Sequence, residues 1–511
     1  MMKCVCGGVL LLLFSLPFSG ARQAAPPKLG QRLWRAYQVA QADDEFLVWI
    51  YFSDKGRHLG DKYRAAWASL TPKSRQRRLT VRAPDQLIDW DDLPVEPAYV
   101  SEVRRRVRRV RHISKWLNAV SARATKRQID QLRQFKWVKR IDLVARFTRP
   151  DPDTMDAPAD DEGSSGEMVQ VRADHAIDYG ASLEQLEQIN VPAVHDLGFT
   201  GEGVVIGVFD TGFNLQHRAL ESMRIVATHD FVNGDDDVSD GDDMGRGAHG
   251  TWVLSVIGGF APGQLIGPAF GAEYILAKTE NTESETPREE DNWIAALEWA
   301  EGLGVDVVSS SVGYLEFEPP FEGYTWRDMD GQTAAITRAA VMAVERGVVV
   351  VNAAGNSGHH PFHNTLMAPA DGDGVITVGA VDDRGARARF SSVGPTIDGR
   401  IKPDVMARGV GVWVASANHP RAYRALSGTS FACPLVAGTA ALLLSAHPEW
   451  SPWQVLDALH RTASQATRPD RLMGWGIVDA LAAIGIEFGA SWERASRLSH
   501  ASLEARHFRA P

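Results

Sequence analysis

The chain has 511 residues, of which 44% are hydrophobic and 23% are charged, and its formal net charge is −10. This composition fits a globular protein of two to four domains, and it excludes a wholly disordered chain and a small disulfide-stapled scaffold. The charge is unevenly distributed, since residues 46–150 carry +15 and residues 151–511 carry −27. The negative total argues against a chain that binds nucleic acid along its whole length, but the basic part needs an explanation.

Residues 1–21 have the pattern of a secretory signal peptide. Lys3 supplies the positive start, Val9–Phe18 is apolar, and Ser19–Ala21 offer small residues for cleavage. The apolar stretch is about half of the ~20 residues that span a bilayer, so an uncleaved anchor is the weaker alternative. We expect a secreted or periplasmic protein with no membrane anchor after cleavage, in which Cys433 is the remaining cysteine.

A compact basic module is predicted at residues 46–150, after a polar lead-in at residues 22–45. Its strand and helix patterns lie at Phe46–Phe52, Thr71–Leu79, Ile129–Phe135 and Trp137–Leu143. These patterns predict a small α+β domain. Residues 151–181 begin with a stretch rich in Asp, Pro, Gly and Ser, which predicts an acidic linker.

The pattern changes in the acidic module at residues 182–490, which a tail at residues 491–511 follows. Its apolar runs are Val204–Phe209, Val305–Ser310, Gly347–Val351 and Val375–Val381. Its helical stretches are Asn292–Glu301, Thr333–Arg346, Phe431–Ala446 and Pro452–Thr462. Continuous apolar runs that alternate with helices predict the α/β class, with a doubly wound parallel sheet flanked by helices. Ligand sites in such sheets lie at the carboxyl ends of the strands.

Four polar residues occur at such positions. They are Asp210 after the first run, His249 between glycines, Asn356 among small residues, and Ser430 before an apolar helix. Each alone has an ordinary structural explanation, namely a turn, a surface histidine, a left-handed asparagine and a helix cap. Together they supply an orienting carboxylate, a base, an oxyanion donor and a nucleophile.

With these residues the sequence resembles the subtilisin-like serine proteases, or subtilases, over about residues 185–485. The matching strings are VVIGVFDTG (204–212), AHGT (248–251), AAGNSG (353–358) and SGTSFACPLVAG (427–438), in the chain order Asp, His, Ser known for that family. The resemblance implies Ser430 as nucleophile and His249 as general base and then acid. It also implies that Asp210 orients His249, and that Asn356 and the Ser430 N–H form the oxyanion hole.

The resemblance further implies that substrate pairs as an added strand with Ser311, Val312 and Gly313, with Gly355 nearby. Tyr314 stands where a glycine commonly opens the primary specificity pocket, so the shape of that pocket stays open.

Two further positions depart from the family pattern. Trp252 stands where relatives often carry a second histidine. Cys433 replaces a usual serine, and we interpret it as a small buried residue rather than a reactive thiol.

The resemblance also implies that residues 46–150 are a prodomain that assists folding, occupies the active site, and is cut off within the linker. Such help is expected because parallel sheets depend on long-range contacts and fold slowly. We expect Arg104–Arg111 (RRRVRRVR) to face the acidic module, in an attraction that salt weakens. A solvated charged face and a nucleic-acid patch are the alternatives.

Two acidic segments lead to weaker hypotheses. Six carboxylates lie between Lys278 and Trp293, and they suggest a preference for basic residues before the cut; a solvated loop is the alternative. Asp235–Asp243 (DDDVSDGDD) suggests a structural calcium ion, although it lacks EF-hand spacing, and again a solvated loop is the alternative. We assign no metal site and expect no cofactor to be needed for the chemistry.

The sequence therefore predicts a secreted, monomeric serine endopeptidase made as a self-processing zymogen, with polypeptide substrates and its own prodomain as inhibitor. A catalytically inactive binding protein on the same fold is the alternative. An α/β-hydrolase would need G-x-S-x-G and the order Ser, Asp, His, whereas Ser430 lies in G-T-S-F-A and comes last.

Overall fold

The computed structural model describes residues 26–147, 175–239, 248–280, 288–313 and 324–488. The signal peptide, most of the linker and the C-terminal tail of the sequence prediction lie outside these residues. The strands of the first module are β1 (Glu45–Phe52), β2 (Arg109–Ser114), β3 (Ala119–Thr125), β4 (Val138–Leu143) and β5 (Arg146–Phe147). Its helices are α1 (Gln31–Tyr37), α2 (Leu59–Ser69), α3 (Pro72–Arg78), α4 (Pro97–Arg104) and α5 (Lys126–Leu132).

The second module begins with two short helices and then builds the larger sheet. Its strands are β6 (Val205–Asp210), β7 (Arg224–Asp230), β8 (Phe260–Ala261), β9 (Leu265–Ile266), β10 (Glu273–Lys278), β11 (Arg288–Glu289), β12 (Val307–Ser310), β13 (Val349–Ala353), β14 (Ile376–Val381), β15 (Val405–Arg408), β16 (Val412–Ala415) and β17 (Tyr423–Leu426). Its helices are α6 (Leu183–Glu187), α7 (Val191–Asp196), α8 (Ala248–Gly258), α9 (Glu290–Leu303), α10 (Ala335–Val344), α11 (Thr429–Ala446), α12 (Pro452–Thr462) and α13 (Ala480–Ile484).

The first module is an antiparallel sheet whose described strands follow the order β2-β3-β1-β4. The predicted α+β class is confirmed, and the local chemistry shows why. The side chain of Thr71 accepts a hydrogen bond from the Ser74 N–H, and Pro72 opens α3 where its missing N–H costs nothing. A capping box between Thr125 and Gln128 starts α5.

The start of this module was predicted wrongly. Residues 22–45 were expected to be a polar lead-in, but Leu29, Leu33 and Tyr37 belong to the module's core. Leu29 bridges Ile141 on β4, and α1 packs beside that strand. The apolar residues of this short helix are too few to stand out in a segment that is polar on average.

Strand β1 is apolar on both faces because each face is covered by a different module. Phe46, Val48 and Ile50 belong to the core of the first module. Leu47 and Trp49 point the other way and pack with Trp293, Ala300 and Ala339 of the second module. Because side chains alternate across a strand, the continuous run of apolar residues records a strand held between two layers.

The second module contains the parallel sheet that the sequence predicts. Within the described residues it has seven strands in the order β15-β14-β13-β12-β6-β10-β7, and every pair is parallel. After β6 the chain forms β7 and β10 on one side of it, and then β12 to β15 on the other side. The direction therefore reverses beside β6, and the carboxyl ends of β6 and β12 border the crevice where such folds place their sites.

Helix α11 is the long core helix behind this sheet. Sixteen of its residues are buried, and it packs on β12–β15 and on α8. Among the described residues it is the one helix long and apolar enough to cross a membrane. Its burial inside the domain explains that composition without a membrane.

Candidate active site

Asp210 and His249 meet at the carboxyl end of the sheet. Asp210 is the last residue of β6, and His249 lies in the first turn of α8. His249 Nδ1 lies 2.7 Å from Asp210 Oδ1, and both side chains are almost fully buried. Nδ1 is thereby fixed as the donor to the carboxylate, which leaves Nε2 as the nitrogen able to accept a proton.

A glycine permits this close approach. A Cβ on Gly250 would lie 2.1 Å from the carbonyl oxygen of Gly212, so any side chain there would push α8 away from the end of β6. Gly250 is therefore a packing residue, and His249 is buried, not the surface residue that the isolated motif would favour.

Ser430 is the second residue of α11. Gly428 occupies the N-cap position, so Ser430 is not the helix cap that was its ordinary structural explanation. The first four N–H groups of a helix have no partner within it, and the Ser430 N–H is one of these. The ring of Phe431, the next residue, lies 6.1 Å from the ring of His249, which brings the start of α11 beside the Asp210–His249 pair.

Asn356 is held by the same helix start. Its Oδ1 accepts hydrogen bonds from the N–H and the hydroxyl of Thr429, at 3.0 and 2.9 Å. Because the carbonyl end is engaged there, the amide nitrogen is the end that points away as a donor. The positive φ in this turn, +114°, belongs to Gly355 and not to Asn356.

Ser311, Val312 and Gly313 continue β12 beyond its last ladder residue. Ser311 Oγ donates to the Ser430 carbonyl at 2.8 Å, and Ser430 Oγ lies 3.3 Å from the Ser311 carbonyl oxygen. Gly355 donates its N–H to Thr429 Oγ1 at 3.3 Å. The residues assigned to catalysis and to substrate binding therefore lie at the carboxyl ends of β6, β12 and β13 and at the starts of α8 and α11.

Residues 201–476 match the family described as the subtilase family. The chain belongs to the subtilase family. Residues 47–157 match the peptidase S8 propeptide domain of Bacteroidota. We call residues 26–147 the prodomain and residues 175–488 the subtilase domain. The chain is thus a subtilisin-like serine protease with a prodomain.

Individual relatives agree with this assignment. Subtilisin DY from Bacillus licheniformis is 33% identical over 288 residues, which are 56% of this chain and 92% of that protein. Subtilisin from Bacillus pumilus is 36% identical over 293 residues, which are 57% and 92% of the two chains. The crystal structure of fervidolysin from Fervidobacterium pennivorans matches with a TM-score of 0.59 and 21% identity, over 88% of this chain and 62% of that one, and it shows the shared fold.

Two of the three departures from the subtilase pattern, Trp252 and Cys433, lie in the described residues. Trp252 is buried, and its ring lies 6.4 Å from that of His249. Cys433 is a buried free cysteine, and burial raises the pKa of its thiol to about 12. This confirms our interpretation of Cys433 as a buried residue, because a thiol with so high a pKa is unreactive at neutral pH. Tyr314 lies outside the described residues.

The prodomain delivers its last strand to the subtilase domain. Its short strand β5 pairs antiparallel with β11, with Arg146 opposite Glu289 and Phe147 opposite Arg288. The segment that contains β11 starts at β10, whose last residue lies level with Asp210 in the sheet. The prodomain therefore ends by adding a strand to the enzyme on the side of the sheet that carries the site.

A buried arginine cluster joins the prodomain to the C-terminal end of α9. It consists of Arg77, Arg78 and Asp92 from the prodomain with Glu301 and Arg346 from the subtilase domain. Arg78 lies 3.0 Å from Glu301 and 2.9 Å from Asp92, and Arg346 lies 2.9 Å from Asp92. Arg77 also pairs with Glu301. All five side chains are at most 4% exposed.

These charges decide the ionisation of the cluster. Burial by itself would raise the pKa of Glu301, but Arg77 and Arg78 outweigh it and hold the pKa at about 2. Burial opposes ionisation of Asp92 as well, and there Arg346 and Arg78 lower the pKa. Both carboxylates are therefore ionised near neutral pH.

Two glutamates nearer the start of α9 meet the prodomain through neutral donors. Glu290 accepts from the indole N–H of Trp49 at 3.3 Å and from the N–H of Ala145 at 3.0 Å. Glu298 accepts from the N–H of Lys115 at 3.0 Å. Burial raises the pKa of both glutamates.

The predicted contact between the run Arg104–Arg111 and the acidic module is confirmed at Arg111. Within Arg104–Arg111, Arg111 reaches Asp291 of the subtilase domain at 3.3 Å. Arg105 instead pairs with Glu102 of its own module and is 72% exposed. Arg77 and Arg78 of the buried cluster were predicted only as helix residues of Thr71–Leu79, and Arg346 only as the end of the helical stretch Thr333–Arg346.

The two acidic segments remain partly outside the described residues. Glu290 and Asp291 are buried while the prodomain is in place, and the preference for basic residues before the cut stays a prediction. Glu283 and Glu285 lie outside the description, as do Asp240–Asp243. No group of three or more metal-ligating side chains occurs in the described part of the chain, and the calcium site stays a prediction.

Proposed function

We propose that this subtilase is a serine endopeptidase that cleaves polypeptides through an acyl-enzyme on Ser430, and that it is made as an exported, self-processing zymogen. The observation that carries the proposal is the buried 2.7 Å contact between His249 and Asp210, beside the helix start that holds Ser430. A histidine oriented by a carboxylate is the base that a serine hydroxyl needs.

Each step of the proposed reaction is assigned to a named residue of the chain. A substrate strand pairs with Ser311–Gly313, and His249 Nε2 takes the Ser430 proton as Oγ attacks the carbonyl carbon. The Asn356 amide and the Ser430 N–H donate to the resulting oxyanion, while Asp210 stabilises the protonated imidazole. His249 then gives the proton to the departing amine, and water repeats the sequence to release the acid.

Self-processing is supported by the course of the prodomain. Strand β5 ends at Phe147 on the side of the sheet that carries the site, which favours the first cleavage in the residues that follow it in the sequence. Export is supported by the pattern of residues 1–21. The charge and length of that pattern suit a cleaved signal peptide.

The test compares the wild-type chain with Ser430→Ala on a gel and by intact mass. We expect the wild type to cut itself between about residues 150 and 182 of the chain, whereas Ser430→Ala stays full-length although its fold is retained. Asp210→Asn should process more slowly by orders of magnitude, because the wrong tautomer of His249 is then favoured.

An inactive binding protein on this fold makes the opposite prediction. In that case the wild type and Ser430→Ala would give the same full-length product, and neither would cleave casein. The filled positions of all four catalytic groups favour the enzyme.

A further inference from the structure

The residue that faces the substrate-binding glycines is Met367, which no motif singled out. In the ladder between β12 and β13, Ser310 lies opposite Asn352. The same register carried three residues further sets Gly313 opposite Gly355. Two residues without side chains therefore lie on neighbouring segments beyond the strand ends. The space between them has room for a side chain from another segment.

The side chain of Met367 fills that space. A Cβ on Gly313 would lie 2.5 Å from both Cγ and Sδ of Met367, and a Cβ on Gly355 would lie 3.3 and 3.4 Å from the same atoms. The thioether is thus in contact with both glycines at once. Met367 is only partly buried and packs at the margin of the main core.

The backbone holds Met367 in this position. Its N–H donates to the Ala354 carbonyl at 3.3 Å, and its own carbonyl accepts from Ala370 at 2.9 Å. Two residues earlier, Thr365 is bonded to Val393 in both directions. The side chain can change rotamer, but these hydrogen bonds fix the backbone that carries it.

We propose that Met367 is the floor of the pocket for the substrate residue just before the cut, called P1, and that it restricts P1 to small side chains such as alanine. The proposal rests on the function proposed above. A substrate strand beside Ser311–Gly313, with its scissile carbonyl at Ser430 and Asn356, has its P1 residue between Gly313 and Gly355. A large P1 side chain then meets the thioether.

The experiment uses the processed enzyme and three peptide p-nitroanilides that differ only in P1, which is Ala, Leu or Phe. For the wild type we expect kcat/KM to be about tenfold or more higher for Ala than for Phe, the scale on which pocket volume discriminates. Met367→Ala should raise the Phe-to-Ala ratio by about tenfold or more. Met367→Leu, which keeps the volume, should leave the ratio near that of the wild type.

Met223→Ala is the matched control. Met223 is another partly buried methionine at the margin of the same core, but it packs against Gly258, far along α8 from the site. Its removal should leave the P1 ratio unchanged, so a change in that ratio cannot be ascribed to loosening of the core.

Two results would overturn the inference: a wild type that cleaves after Phe as well as after Ala, or an active Met367→Ala enzyme with the wild-type ratio. If Met367→Ala does not fold, the wild-type ratio and Met367→Leu still decide. Failure of the proposed function looks different, because all three peptides would then be turned over no faster than by Ser430→Ala, and this inference would fall with it.

Discussion

The two ends of helix α9 bind the same prodomain in different electrostatic ways. At the C-terminal end Glu301 meets two arginines, and its pKa falls to about 2. Glu290 at the N-terminal end, and Glu298 between them, meet mainly N–H and O–H groups, and the pKa of each is raised. Glu290 and Glu301 are both fully buried, so the partners and not the burial set the difference between these two.

The comparison shows what each kind of partner can offset. Burial disfavours the charged form of a carboxyl group, and neutral donors recover only part of that loss. A guanidinium supplies charge as well as a fork of donors, and two of them reverse the shift. At the same interface, Glu301 therefore binds as a charged carboxylate, whereas Glu290 and Glu298 can bind the prodomain in the protonated form.

The largest effect is expected when the charged region loses its carboxylate. In the uncleavable Ser430→Ala chain, Glu301→Gln removes the carboxylate that pairs with buried Arg77 and leaves Arg78 with Asp92 alone. We expect the free energy of unfolding of the prodomain to fall by about 3–5 kcal/mol. Denaturant unfolding, followed by the fluorescence of the buried prodomain tryptophan Trp49, measures it.

Glu298→Gln is the matched control on the same helix. Its glutamate is held by neutral donors and its pKa is raised, so an amide of the same shape should cost about 1 kcal/mol or less. Equal losses for the two variants would show that the arginine cluster contributes nothing beyond its hydrogen bonds.

The next effect is on the pH dependence. The lowered pKa of Glu301 contributes stability that is present above its ordinary value of 4.5 and is lost as the pH falls towards about 2. The difference between the parent and Glu301→Gln should therefore shrink by about 3 kcal/mol from pH 5 to pH 2.

Glu298 should show the opposite sign. Its raised pKa contributes stability that is fully present below 4.5 and is lost as the pH rises through the raised value. The free energy of unfolding of the parent should thus increase relative to that of Glu298→Gln as the solution is acidified from neutral pH to 4.5. Unfolding midpoints over a pH series decide both cases, and parallel curves for the three proteins would contradict the comparison.

The smallest effect is expected from salt. At about 1 M ionic strength the Debye length is about 3 Å, but buried pairs are screened far less than exposed ones. The penalty of Glu301→Gln should therefore change little between low and high salt. Arg105→Ala, at an exposed pair, should have no measurable effect at either. A steep loss of the Glu301 penalty with salt would mean that the cluster opens to solvent.

Local patterns predicted helices α9 to α12 and four of the five inner strands of the larger sheet, all but β10. Helix α12 was predicted at its observed bounds, because Ser451, Pro452 and Gln454 form a complete helix-start signal. Strand β7 was missed, since it is the edge strand of the sheet and its side chains are mostly half-exposed and polar. Strand β10, EYILAK, is buried, but its charged ends break the apolar run.

The site was predictable in part for the same reason. Asp210 and His249 lie in short local motifs, and the structure brings them into contact. Met367 carries no motif, because its position depends on two strand ends that are distant in sequence. Arg77 and Arg78 look like ordinary helix residues until α9 is placed against them.

The uneven charge of the chain was evident from the sequence alone, as were the α/β class, the module order and the residues proposed for catalysis. The charge, the class and the module order follow from local composition and periodicity, which act over a few residues, and the roles proposed for the catalytic residues follow from the resemblance of short motifs to the subtilases. Only the tertiary structure decided which of the many arginines are buried, which carboxylates they hold ionised, and which side chain faces the substrate-binding glycines. Those outcomes depend on the removal of water and on distances between remote segments, and both arise only when the two modules pack together.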